Sequence, residues 1–186
     1  MGRGRVATAD YHRSRQVLAL PHPPPPAATV LVAALLGSSE IRERQQLGGA
    51  LLEALNDRFD LPECRLVIAD RAQTHATDPR GRLAQKTYGY YRCRLPPAGA
   101  TPDRCAIRIY HRTAIREQVL APGAFVQTLL HEWTHHFDFA GLNLARSPHT
   151  AGFYARLRWL VLAAGAGRAL PPAPTEALAL GVEAAR

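Results

Sequence analysis

The chain has little cysteine, almost no lysine and no long hydrophobic run. Its three cysteines, Cys64, Cys93 and Cys105, form no C-x-x-C pair. An odd count without paired spacing excludes a disulfide framework, so three free thiols in a reducing compartment are expected. The apolar run Thr29–Leu36 is too short to span a bilayer and follows a proline block, which excludes a membrane span and a signal peptide there. Val6 stands where a myristoylation signal needs Ser or Thr. These absences together predict a cytoplasmic protein without membrane attachment.

Lys86 is the single lysine among 23 basic residues, leaving 22 arginines and a formal charge of +8. An Arg-rich surface suits nucleic acid or another acidic partner, although arginine can also do no more than solvate exposed faces. With 186 residues and 47% hydrophobic composition, the chain is long and apolar enough for one packed domain.

The Arg-rich start and the stiff block Pro21-His22-Pro23-Pro24-Pro25-Pro26 predict a disordered or loosely attached tail over residues 1–28. A folded domain is expected over 29–170 and a Pro-rich tail over 171–186. Thr29–Gly37 reads as a strand or a helical turn. Ser38 or Ser39 can cap a helix running to about Phe59, which Pro62 ends. Cys64–Ala69, Tyr88–Arg94 and Cys105–His111 read as strands, the last with Ile107 and Ile109 on one face and Arg108 and Tyr110 on the other. Pro122-Gly123 opens a helix to about Ala140, with Gly141 as its stop, and His149–Ala164 reads as a final helix. The order predicts an α+β domain.

The helix from Pro122 carries His131-Glu132-Trp133-Thr134-His135. At about 100° per residue, His135 lies about 40° round from His131, and Asp138 about 20° to the other side. Val126, Leu130, Trp133 and Phe137 gather on the opposite face. Both imidazoles can therefore reach one ion while the reverse face enters the core. Two neutral imidazoles one turn apart suit Zn2+, with ligands at about 2.0–2.1 Å. Glu132 points beside the ion, where a carboxylate can take a proton from an activated water. A catalytic zinc needs a third protein ligand. His149 is preferred, with Asp138 as the rival; Asp138 could equally hold a ligating histidine from behind. His136 reads as a packing or rim histidine. The plain alternative for the whole set is a buried polar helix face with satisfied histidines.

Several segments together resemble the SprT-like family of zinc metallopeptidases, which includes the Spartan-type proteases of DNA–protein crosslinks. They are Leu55-Asn56-Asp57-Arg58-Phe59, Thr87-Tyr88-Gly89-Tyr90-Tyr91, the strand Ile107–Tyr110, the His131-Glu132-x-x-His135 pentapeptide and His149-x-x-x-Phe153. The resemblance spans roughly Gly49–Leu160. It implies a zincin-like fold: a small mixed sheet packed on an N-terminal helix and the active-site helix, with a further helix behind. It also implies one zinc on His131, His135 and His149, with Glu132 as catalytic base. Thr150 stands where the family has Gly after the third histidine, with Gly152 two residues on. No cysteine follows Cys105, so this chain does not carry the family's Cys-rich ribbon.

The resulting expectation is a zinc metallopeptidase acting on protein or peptide, with an extended substrate pairing along Cys105–His111 taken as an edge strand. Tyr154, His136 and Tyr110 are candidates for stabilising developing negative charge. The competing classes are a zinc-bearing module that binds nucleic acid or protein without turnover, and a zinc hydrolase of non-peptide substrates.

Overall fold

The computed structural model describes residues 3–94, 103–144 and 146–169. The fold is α+β. Its elements are α1 Arg3–Gln16, α2 Pro26–Gly37, α3 Ile41–Arg58, β1 Cys64–Ala72, β2 Thr74–Thr77, β3 Leu83–Thr87, β4 Gly89–Arg94, β5 Asp103–Arg112, α4 Pro122–Ala140 and α5 Ala151–Ala163, followed by a 3-10 turn, Ala166–Ala169.

The main sheet is mixed and small, in the order β1-β5-β4, with β1 parallel and β4 antiparallel to β5. This overturns the expectation that Cys105–His111 is an edge strand: β5 lies in the centre. Its alternation of Ile107 and Ile109 with Arg108 and Tyr110 reports two unlike faces and carries no information about neighbours on either side. The edge beside α4 is β4. The other edge, β1, is partly closed by the Gln45 side chain of α3, whose Nε2 donates to Leu66 O at 2.9 Å and whose Oε1 accepts from Ile68 N at 3.1 Å. That amide imitates the peptide group of a missing neighbour strand.

The helical face of the sheet forms the core, where Leu51, Leu55, Ile107, Ile109, Phe125, Leu129 and Trp133 are fully buried. Pro122 sits at the start of α4, where its lost N–H has no helical partner to miss. Gly141 N–H closes the helix on Phe137 O at 2.8 Å. Trp133, on the apolar side of α4, donates its indole N–H to Asn56 Oδ1 of α3 at 2.9 Å, so the largest core side chain leaves no polar atom stranded. Gly89 lets α4 approach β4. A Cβ there would lie 2.6 Å from Arg108 O and 3.0 Å from Thr128 Cγ2.

Several expectations need correction. No serine side chain caps α3: the N-cap is Glu40, while Ser38 Oγ donates to Glu43 at 2.6 Å. Thr29–Gly37 is neither strand nor single turn but most of α2, which Pro26 opens. Residues 3–28 are not a loose tail where they are described. They supply α1 and the start of α2, with Asp10, Ser14, Leu20 and Ala28 buried. Their anchors are polar and distant in sequence, which no local periodicity reveals. The tail expected at 171–186 lies outside the described residues. The hairpin β2–β3 was also unforeseen, because β2 is exposed throughout and has no apolar face to alternate. Finally, Cys93 and Cys105 form a disulfide and only Cys64 is free, and buried. The β4–β5 register brings the pair's Cα atoms to 4.1 Å, a juxtaposition that spacing alone cannot show.

Candidate metal centre

Thr150 starts α5 by accepting the Phe153 N–H on its hydroxyl at 3.1 Å, and this turn sets His149 just outside the helix. From there His149 faces α4. Its Nε2 lies 3.0 Å from Nε2 of His131 and 3.0 Å from Nε2 of His135. The three ligating atoms all fall within 4.8 Å of one another, close enough to hold one metal ion. Nitrogens at this spacing repel through their lone pairs unless a proton or a cation lies between them. Phe153, fully buried, forms the floor, with its ring centroid 5.0, 4.6 and 4.9 Å from those of His131, His135 and His149.

The imidazoles are held neutral. Burial, reinforced by His149, pushes the His131 ring down to about 3. Burial and the neighbouring His131, His149 and Arg156 charges take His135 well below its ordinary value, and burial lowers His149. A metal requires that neutral form.

The tautomer of His135 follows from its surroundings. Ser147 Oγ donates to Asp138 Oδ2 at 2.8 Å, so it must accept the contact to His135 Nδ1 at 2.7 Å. Nδ1 therefore carries the proton and Nε2 keeps its lone pair toward the other two rings. Asp138 does not join the three nitrogens. It stands behind Ser147 and forms a fully buried ion pair with Arg156 Nη2 at 2.8 Å. Burial raises its carboxyl, opposed by the Arg156 charge and by the hydrogen bonds from Ser147 and Arg156.

Glu132 is buried beside the cluster, and its carboxyl is pushed up to about 8 by burial, against a hydrogen bond from the Tyr91 backbone N–H. Tyr110 N–H bonds Tyr88 O, so the backbone groups of residues 88, 90 and 92 point to β5 and those of 89 and 91 point away. The Tyr91 N–H thus points away from β5, where the described residues include no further strand of this sheet, and Glu132 meets it there.

His136 is structural: Nε2 donates to Pro62 O at 3.0 Å and Nδ1 accepts from the Tyr91 hydroxyl at 3.0 Å, with its ring lowered to about 4 by burial. Tyr110 lies on the sheet face opposite Ile109 and accepts from Arg71. Of the three charge-stabilising candidates, only Tyr154 adjoins the cluster, its half-exposed ring stacked 5.9 Å from His149. Sequence reasoning missed Ser147, Arg156 and the Tyr91 amide. Ser147 lies in a loop, Arg156 reads as one more surface arginine, and a backbone donor has no sequence signature.

No model of a known protein family matches the chain, and no curated protein or solved structure matches it. Among the described residues, no helix is long and apolar enough to cross a membrane.

Proposed function

We propose that this protein is a zinc-dependent peptidase with a zincin-like arrangement, in which His131, His135 and His149 hold the metal and Glu132 is the general base. The observation that carries the reading is the convergence of three neutral imidazole Nε2 atoms beside a buried carboxylate. Three histidines with an open fourth position are a known ligand set for catalytic zinc. A zinc ion held there supplies Lewis acidity to a carbonyl oxygen and to an attacking water.

The chain's own groups do the rest. Glu132 takes the proton of the attacking water and returns it to the departing amine. Having taken that proton, it can act as the acid in the second half of the cycle. Tyr154, whose ring stacks 5.9 Å from His149, is the candidate donor to the developing oxyanion. An extended substrate lies along β4, on its side remote from β5 and beside the Tyr91 amide that Glu132 meets, and not along β5. Backbone pairing there implies weak dependence on substrate side chains.

A second reading has its own observation. Exposed Arg71 lies over the buried Tyr110 ring and exposed Arg92 over the half-buried Tyr90 ring, so the sheet face away from the helices is cationic. That surface favours an acidic partner such as single-stranded nucleic acid.

The test is zinc content and turnover on an unfolded protein, with and without single-stranded DNA. His131→Ala and His135→Ala should abolish stoichiometric zinc. Glu132→Gln should keep it and lower turnover per zinc by at least ~10²–10⁴-fold. Equal turnover in Glu132→Gln would remove that residue from the mechanism. A zinc-loaded wild type that hydrolyses nothing while binding DNA would favour the non-catalytic module.

A further inference from the structure

We propose that α1 is the outer wall of the metal centre, and that Ser14 and Arg156 are positioning residues that fix His135 from behind. The proposal rests on reading His131, His135 and His149 as the metal site.

The last turn of any helix leaves carbonyl groups without helical partners and gathers partial negative charge. In α1 these groups meet a buried cation. Arg156 of α5 donates through Nη1 to Ser14 O at 2.9 Å and to Val17 O, and through Nη2 to Ser14 Oγ at 3.1 Å. The same Nη2 donates to Asp138 Oδ2 at 2.8 Å, the oxygen that also accepts the Ser147 hydroxyl. Ser147 then accepts the proton on His135 Nδ1. An unbroken chain of hydrogen bonds, charge-assisted as far as Ser147, runs from the end of α1 to His135. Because Arg156 and Ser147 share one carboxylate oxygen, moving the guanidinium moves the acceptor that orients His135.

Two more contacts tie α1 to the ligand-bearing loop. Asp10 accepts the Arg146 N–H at 2.9 Å, next to Ser147. Ser14 Oγ lies 2.8 Å from Thr150 Oγ1, next to His149. The fit is close: a Cβ on Gly152 would overlap Ser14 O and sit 2.9 Å from Arg15 Cα. Gly152 therefore lets the end of α1 rest on α5, and a methyl group there must force the two apart, its nearest contacts being backbone atoms of Ser14 and Arg15.

The test uses the full chain as wild type, Ser14→Ala, Gly152→Ala and Arg158→Ala, the last an exposed arginine on the same helix as control. Zn2+ affinity is measured by competition with a chromophoric chelator, and the Co2+-substituted proteins are compared by their visible absorption bands. Gly152→Ala should bind zinc about 10-fold more weakly, the lower end of what changes behind a ligand cost, and Ser14→Ala should be weakened less. Both should shift the Co2+ bands, which a helix that only adds stability would leave in place. Arg158→Ala should match wild type. If Gly152→Ala does not fold, Ser14→Ala decides. Wild-type affinity and an unchanged Co2+ spectrum in the folded variants would overturn the role of α1 while leaving the metal site standing. A wild type that binds no zinc would overturn the site itself, and the role of α1 with it.

Discussion

Two arginines, Arg44 and Arg156, are wholly buried, and they are buried in opposite ways. Arg156 faces a carboxylate, Asp138, and fills its remaining donors with the end of α1, leaving only Nε without a partner. Arg44 has no carboxylate within ion-pair distance among the described residues. It donates Nε and Nη2 to one acceptor, Ser38 O, at 3.0 and 2.8 Å, and lies over the Phe125 ring at 4.9 Å. Its Nη1 has no partner, and burial lowers its pKa. The first arginine is wired to the three-histidine cluster; the second clasps the turn between α2 and α3. Burial of a cation alone therefore does not mark a functional network. What marks one is whom the cation shares its acceptors with.

The sharpest way to break this contrast is Asp138→Asn. The shape is kept, but Arg156 becomes a buried charge without a counter-charge, a change that costs about 3–5 kcal/mol. Because Ser147 loses its charged acceptor, zinc should also bind about 10–100-fold more weakly without being lost. Urea denaturation of the zinc-free protein and zinc titration of the same sample measure the two effects. An unchanged denaturation midpoint would mean that the ion pair contributes nothing, and complete loss of zinc would move Asp138 among the ligands.

Arg44→Met should do the reverse. It removes two hydrogen bonds made by one charged group, and also a desolvated charge, so the net loss should be about 1–2 kcal/mol of stability. Zinc affinity should equal that of wild type. A fall in affinity comparable to that of Asp138→Asn would erase the distinction between the two sites.

The legible and illegible parts of this chain divide along the same line. The α4 helix and its two faces could be read because periodicity and side-chain chemistry coincide there: His131 and His135 one turn apart, Trp133 and Phe137 opposite, Gly141 at the end. His149 could be ranked above Asp138 because a third ligand was needed and a returning helix was visible. The position of Asp138 behind His135 could be weighed, but its link through Ser147 could not, since a loop serine has no period. Arg156 and Arg44 look like any other arginine in a chain that has 22. Their burial is decided by Ser14 and Ser38, residues whose polar contacts arise only in three dimensions. The central place of β5 was hidden for a related reason: strand order is a property of the sheet and not of any one strand.

The smallest effect, and the finest probe of the Arg44 side, is the acid dependence of stability at His111. This histidine is buried near the carboxyl end of β5, and its Nδ1 has no partner. Burial lowers its pKa first, and the Arg44 and Arg112 charges lower it further, against the opposite pull of Asp70 and Glu40. A histidine depressed in the fold stays neutral while the unfolded chain, with an ordinary value of about 6.5, begins to take up protons. The unfolded state then binds more protons, so stability is full above that value and declines as pH falls through it toward the folded pKa. His111→Gln removes this share of the slope. Arg44→Met should shrink it, because one of the charges opposing protonation is gone. The measurement is the difference in denaturation midpoint between wild type and each variant across pH 5–8, taken in zinc-free protein so that metal release does not enter. Identical slopes in wild type and His111→Gln would show that His111 titrates alike in both states. A steeper slope in Arg44→Met would mean that the Arg44 charge does not hold the His111 pKa down.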